Sequence, residues 1–533
     1  MVVLANPIGD FPLNDDWVYG LAVKSILEQG EFRLPSPAST NLLPQAYWGA
    51  LFCLPFGFSF TALRLSTLAL GLLGVWATFG ILREFGAAVG IASLAAALVA
   101  TNPLYFALAN TFMTDVPFLA VAAASLFFLV RWSFRPDGRD ALLGLLLAMV
   151  AILIRQAGIV IPLGFAMAYL VRRGPGFRTL VVAVVPVLIG IALHFGFQAW
   201  LQEANRAPFL AEPPLAETVG SVLNRALRVP VRLFTFVAYA GLFSLPILVV
   251  VSLRAWERSA AAQRRKLLAV FIPAIVASAA AAIAIGTPMP FIDNVLNDFG
   301  IGPLTLTDTH FARRNYPVVP GWLKIFWNAA TVAAILGAAI LACLVAYGIR
   351  VARSRPLASG SVPAMIVIVG SGVAYALLAA LALRFFYDRY VMFLLLTVVL
   401  IAGFLFACTS SDQLSKRESA FLVLVLALEA TFTVLATRDY LEWNRTRWTA
   451  TSVLLTEGVP RTSIDGGYEF NGWLGYDPAY QSKPGKSPYW VTDDEYIIAS
   501  GPLSGYSIIR AYPIRRLLTG RDSRLVVLRR DPK

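Results

Sequence analysis

The sequence predicts an all-α polytopic membrane protein, on three observations. Of its 533 residues 58% are hydrophobic and only 14% charged, against about 45–50% and about 25% in soluble globular chains. Mean hydropathy is +0.69. Apolar runs nearly free of charge recur along the chain, and a run of about 20 such residues reaches across a hydrocarbon core about 30 Å thick.

In chain order, residues 1–60 do not span. Asn14-Asp15-Asp16 precedes Trp17, Tyr19, Leu21, Ile26 and Leu27, and Gly30 follows. That order predicts a capped helix lying at the interface and ended by glycine. Pro35 to Pro44 reads as a turn-rich loop, and a second interfacial helix is expected through Tyr47 to Phe52. Met1 to Asn6 has no basic n-region and is too short for a signal peptide.

Twelve spans are then expected, at 61–82, 88–109, 116–132, 141–155, 157–171, 178–201, 231–253, 267–287, 322–349, 361–384, 389–408 and 418–436. The fourth and fifth are short and adjoin at Arg155-Gln156, which reads as a tight hairpin. Residues 61–437 thus form the membrane domain. After Thr437 the chain turns polar, turn-rich and rich in Tyr and Trp. Residues 438–533 read as a small α/β domain outside the membrane, with strands near 506–510 and 525–529.

The net charge is +13. In a soluble protein that points to nucleic acid; here the Lys and Arg sit in short loops between apolar runs, which is membrane topology. Arg83, Arg131, Arg135, Arg139, Arg172, Arg173, Arg254, Arg258, Arg350 and Lys416 fall on one set of loops. That set carries roughly twice the basic residues of the other and is placed in the cytoplasm. The long loops and the tail then lie on the outer face. Cys53, Cys343 and Cys408 show no metal or disulfide spacing.

Chemistry is sought on that outer face. Asp15-Asp16 has the ordinary reading of a helix cap and the functional reading of a general base. Met113-Thr114-Asp115-Val116-Pro117 likewise reads first as a cap with proline in the first turn. Arg384-Phe385-Phe386-Tyr387-Asp388-Arg389-Tyr390 is a charged turn between two apolar spans. It is either a salt-bridged turn with interfacial tyrosines or a lipid-phosphate site. Arg64 and Arg155 near span ends snorkel or contact phosphate. The loop 288–321 holds Asp293, Asp298, Asp308 and His310 without a strict metal spacing. His194, inside a span, reads as a packed, hydrogen-bonded histidine.

Together these motifs resemble the GT-C glycosyltransferases, and in pattern the protein O-mannosyltransferase and lipid A aminoarabinose transferase groups. There an Asp-Glu pair is followed by Tyr; here Asp15-Asp16-Trp17-Val18-Tyr19 stands, with Asp16 in place of Glu. Asn110 with Met113-Thr114-Asp115-x-Pro117, and Tyr387-Asp388-Arg389-Tyr390, are similar to elements of bacterial members. So are 302–309 and the segment Ile464-Asp465-Gly466-Gly467-Tyr468-Glu469-Phe470-Asn471-Gly472-Trp473. Family members carry a span before the first outer loop, so the resemblance implies a helix upstream of residue 1.

The resemblance implies an inverting transfer of a hexosyl or pentosyl group from a polyprenyl-phosphate donor. The acceptor is a lipid, glycan or protein, at the extracytoplasmic face of a bacterial inner membrane, and no nucleic acid is involved. Asp15 or Asp16 would be catalytic. Tyr19, Asp115, Arg64, Arg155, Arg384, Asp388, Arg389 and Tyr390 would bind substrate, with Arg313 and Arg314 as further phosphate contacts. A divalent metal ion is left open, with Asp16 and His310 as its weak candidates. The competing expectation is a transporter or flippase of lipid-linked sugars. Against it stand the lack of an inverted repeat and acidic residues at span ends instead of mid-membrane.

Overall fold

The computed structural model describes residues 1–533 except 36, 205, 207–218, 297–320, 355–357, 384, 410–412, 482–488, 521 and 533. A short turn of helix, α1 (Val2–Ala5), precedes α2 (Asp16–Gln29) and α3 (Leu43–Cys53), the two helices expected in the first sixty residues. Gly30 ends α2 at φ 70°, a left-handed conformation that glycine adopts without a Cβ penalty.

The membrane domain follows as α4 (Phe60–Glu84), α5 (Val89–Thr101), α6 (Pro103–Ala109), α7 (Asp115–Phe134), α8 (Gly138–Ile154), α9 (Val160–Arg173), α10 (Phe177–Glu203), α11 (Val219–Glu257), α12 (Ala261–Ile285), α13 (Gly321–Ser354), α14 (Ser361–Ala382), α15 (Met392–Thr409) and α16 (Lys416–Thr456). Among the described residues nine helices are long and apolar enough to cross a membrane. Each falls on one of the twelve expected spans.

The other three expected spans are not single straight crossings. The run 88–109 is broken at Asn102, and α5 and α6 meet at a bend of 64°. The cause is local: Asn102 precedes Pro103, which pushes it out of the helical region to ψ 129°, and its side chain then caps α6. Helices α8 and α9 have 17 and 14 residues, joined by a 3-10 turn at Gln156–Ile159. At about 1.5 Å per residue both fall short of a 30 Å core.

Burial shows which spans are central. In its most apolar window α7 is 89% buried and the span that begins at Asp388 is 78% buried, while α10 and α12 are 17% and 11% buried and turn apolar side chains outward. Small residues allow close approach between helices. A side chain at Gly241 of α11 or Gly337 of α13 would collide with the backbone of the other, and one at Gly164 of α9 would meet Ser371 and the Val367 carbonyl of α14. The two most buried spans begin with Asp115 and with Asp388-Arg389, so acid and base residues enter at the centre of one end of the bundle.

Helix α16 has 41 residues, about 60 Å, and runs well past the expected span at 418–436. The polar composition after Thr437 therefore begins inside a helix, whose second half serves as a wall for the tail. Against it packs a four-stranded sheet of β1 (Ile464–Asp465), β2 (Tyr496–Ala499), β3 (Tyr506–Arg515) and β4 (Asp522–Arg530), in the order β1-β2-β4-β3. β1 and β2 run parallel; β4 is antiparallel to both β2 and β3. The strands expected near 506–510 and 525–529 are the cores of β3 and β4. Alternation along β4 sends Leu525 and Val527 into the main core and Val526 and Leu528 to a separate cluster with Ile497 and Ala499. Asp439 of α16 accepts the Leu517 and Leu518 amides at 2.8 and 3.0 Å, fixing the β3–β4 turn to the helix. Between β1 and β2 lies α17 (Tyr468–Gly475), which brings the tail over α2.

Candidate functional site

The site is assembled where α2, the starts of α7 and α15, and α17 meet. Asn14 takes a left-handed φ of 53°, a region asparagine tolerates, and this turns the chain into α2. Asp15 occupies the N-cap position, yet its side chain makes no capping hydrogen bond. The expected cap is replaced by longer-range partners. Both terminal nitrogens of Arg389 approach Asp15 Oδ2 at 3.4 Å, and the Tyr468 hydroxyl donates to Oδ1 at 3.1 Å. The side chain of Asp15 keeps 24% exposure.

Asp16 differs in every respect. It is fully buried, and its Oδ1 and Oδ2 accept the amides of Phe112 and Leu13 at 2.8 and 3.3 Å. Burial pushes its carboxyl up to about 8, against the lowering effects of Arg64 and these two amides. Asp16 thereby ties α2 to the loop before α7. Of the two acids, Asp15 is the one that is accessible and held by a cation.

Beside Asp15 lies a second buried ion pair, Arg155 with Asp115. Helix α7 begins at Asp115 but receives no side-chain cap from Thr114, so the expected capping role is again displaced by a partner distant in sequence. Both guanidinium groups lie against the Tyr390 ring, Arg155 at 5.3 Å and Arg389 at 5.6 Å from its centroid, while Arg389 also lies 5.0 Å from the Tyr387 ring. Such cation–π contacts hold a guanidinium plane in place. Tyr19 is buried within the fields of Asp15, Arg389, Arg155 and Asp115, and burial pushes its phenol above the ordinary value. Two buried atoms of this cluster, Asp115 Oδ2 and Arg389 Nε, make no hydrogen bond among the described residues.

Asp388 is placed next to this cluster with a different task. Its carboxylate accepts the Val295 and Leu296 amides at 3.0 and 2.7 Å, fastening the loop after α12 to the site. Arg64 lies below the loop, one turn into α4. It donates to the carbonyls of Pro7, Gly9 and Phe11 and stacks on the Phe11 ring at 4.6 Å. It therefore shapes the first loop instead of snorkelling. His194 bonds Asn41 at 3.2 Å, as a packed histidine should. Arg384, His310, Arg313, Arg314, Asp298 and Asp308 lie outside the described residues.

Sequence reasoning named no residue of the tail as a partner of the site. Glu469 accepts the Asn14 amide at 3.0 Å and pairs with Arg447 at 2.8 Å, and both ends of that pair are almost fully buried. Trp17 sits 5.6 Å from Tyr468, 5.6 Å from Tyr476 and 5.1 Å from Trp490. Asn294 approaches Asn14 at 3.4 Å. The segment 464–473 stands out in the sequence, but nothing in it points to Asp15.

Among the described residues no group of three or more His, Cys, Asp or Glu could hold a metal ion. Asp16, one of the two metal candidates, has both oxygens directed to backbone amides. The described residues do not fit a metal centre.

Residues 44–200 match the family model described as dolichyl-phosphate-mannose-protein mannosyltransferase. The motif resemblance and this model name the same group. The matched stretch holds Arg64, Asp115 and Arg155; Asp15, Arg389 and Tyr468 lie outside it. Among solved structures the chain is similar to ArnT from Cupriavidus metallidurans in the apo state, at 16% identity and a TM-score of 0.40, covering 100% of this chain and 97% of that one. The same protein bound to undecaprenyl phosphate gives 16% identity and a TM-score of 0.41 with the same coverage. An oligosaccharyltransferase from Archaeoglobus fulgidus, in complex with zinc and sulfate, gives 14% identity and 0.30 over 67% of this chain and 49% of that one. No curated protein matches.

Proposed function

We propose that this chain is a membrane glycosyltransferase that moves a sugar from a polyprenyl-phosphate donor to an acceptor, with inversion, at the extracytoplasmic face of a bacterial inner membrane. The carrying observation is the exposed edge of Asp15 held between the Arg389 guanidinium and the Tyr468 hydroxyl, beside the buried Arg155–Asp115 pair. The family model over residues 44–200 supports the reaction class and the donor type.

The chemistry follows from those groups. Asp15 accepts the proton of an acceptor hydroxyl or phosphate as its oxygen forms a bond to the anomeric carbon and the bond to the donor phosphate breaks. The electron pair leaves with the phosphate, whose charge Arg389 and Arg155 neutralise. Guanidiniums fixed by aromatic faces and buried partners do this without reorienting. A lipid phosphate is a competent leaving group, so the site mainly positions and neutralises.

A transporter is the competing class, but the site's charges lie at helix ends, Asp115 and Arg389 at the starts of their spans and Arg155 just after α8. The test is to express wild type and Asp15→Asn in membranes containing radiolabelled polyprenyl-phosphate sugars and follow label leaving the lipid. Loss of about 10²–10⁴-fold at equal protein level is the expected result. Equal release by both would remove Asp15 from the reaction. Label that crosses the membrane while still attached to lipid would identify a flippase.

A further inference from the structure

The tail grips the loop at two adjacent positions, and only one grip is explained by folding. Glu469 accepts the Asn14 amide and pairs with Arg447 inside the protein, which is a structural lock. Tyr468, the residue before it, donates to the side chain of Asp15 at 3.1 Å. We infer that Tyr468, delivered by the C-terminal segment, is a positioning residue for Asp15. By this inference the transferase site is completed only when the tail is docked.

Asp15 belongs to a short loop ahead of a helix and is not held by a cap of its own. With Arg389 alone its carboxylate is anchored through Oδ2, which leaves rotation about the last side-chain bond free. A donor on Oδ1 removes that freedom and directs the remaining lone pairs to one side. Tyr468 is in turn fixed. Its ring packs on Trp17 at 5.6 Å and on Tyr489 at 5.0 Å. Trp17 is seated against Gly472, where an added Cβ would strike its indole. The phenol, which burial and the Asp15 charge push well above its ordinary value, stays a donor throughout.

The inference rests on the transferase reading, so its test carries a second measurement that needs no turnover. Tyr468→Phe keeps the ring and its packing and removes only the hydroxyl. In the transfer assay kcat should fall by about ten- to a hundredfold, as for loss of one hydrogen bond to a charged group, with KM for the lipid donor unchanged. Thermal unfolding of wild type, Tyr468→Phe, Asp15→Asn and the double variant forms a cycle. The shift caused by Tyr468→Phe should shrink in the Asp15→Asn background. An unchanged kcat, or a raised KM with kcat intact, overturns the positioning role. Additive unfolding shifts overturn the contact itself. Wild type that releases no sugar from any donor defeats the transferase reading instead; the cycle then decides the contact, coupling upholding it and additivity rejecting it.

Discussion

A third of the way along α11, Arg232 donates to the carbonyls of Ala380 and Leu383 at 2.8 Å, beside the turn that carries Arg389. About 33 Å along the same helix, Arg254 binds Glu418 at 2.6 Å. The two ends satisfy their charges by different means. At the Arg254 end Glu418 reaches that cation across 164 residues, but the carboxylates there also serve as ordinary helix caps. Glu418 closes a capping box with Ser415, Asp137 caps α8, and Arg135 meets Glu84 with 67% of its side chain exposed. At the Asp15 end Asp15 makes no cap and pairs instead with Arg389 and Tyr468, 374 and 453 residues away, while Asn14 pairs with Glu469 and Asp115 with Arg155. Charges disposed for helix ends alone take the nearest cap. On the proposed function, carboxylates that make no local cap, and leave an atom such as Asp115 Oδ2 without a partner among the described residues, are disposed for a substrate.

That contrast can be broken most severely at the tail. Gly472→Ala places a methyl group against the Trp17 indole, and overpacking of that kind costs about 1–3 kcal/mol. Because the displaced segment also carries Tyr468, transfer should fall by more than tenfold while the membrane domain stays folded. Sugar release and protease resistance, measured together, check this; normal release would show that the tail contact is dispensable.

A smaller effect separates the two acids. Asp16→Asn leaves one of the Leu13 and Phe112 amides without its acceptor, a loss of about 1–3 kcal/mol in stability, and transfer per folded molecule should be retained. The pH dependence sharpens the distinction. The Asp16 carboxyl is pushed from 3.8 to about 8 on folding, so the native state binds the extra proton between those values. Its contribution to wild-type stability is fully present below the lower value and is lost as pH rises through about 8. Asp16→Asn should flatten that slope. Unfolding midpoints of both proteins across the window check it, and parallel curves would mean that Asp16 does not titrate there.

The smallest effect belongs to the opposite end. Glu418→Gln weakens a pair whose side chains are 11% and 22% exposed; it should lower stability by about 1–3 kcal/mol and leave kcat unchanged, so its effect on transfer is the smallest. A marked fall in kcat with stability intact would show that the two ends are coupled.

The spans were legible in the sequence because crossing a bilayer depends on a quantity that is itself linear, apolar length, and every expected span falls on a helix. The exceptions have local causes: Asn102-Pro103 bends one run, and α8 and α9 are too short to cross alone. The ends of α2 and the cores of β3 and β4 could be read for the same reason, since Gly30 and alternating side chains act within a few residues. The motifs around Asp15, Asp115 and Arg389 were legible as charges at span starts, but each had an equally good local meaning as a cap or a salt-bridged turn.

What the sequence by itself determined is thus a bundle of apolar helices with its chemistry-bearing residues gathered at one end. Which acid stays exposed, and with whom each pairs, was decided by tertiary structure. Asp15 and Asp16 are neighbours of identical chemistry, separated only when Phe112 takes one and Arg389 and Tyr468 the other. Those partners arrive from segments about a hundred to several hundred residues away, through packing of helices whose mutual positions no local pattern encodes. Arg64, whose ordinary meaning was snorkelling, is enclosed by loop carbonyls for the same reason. Hydropathy selects a residue's depth, and only contact selects its partner.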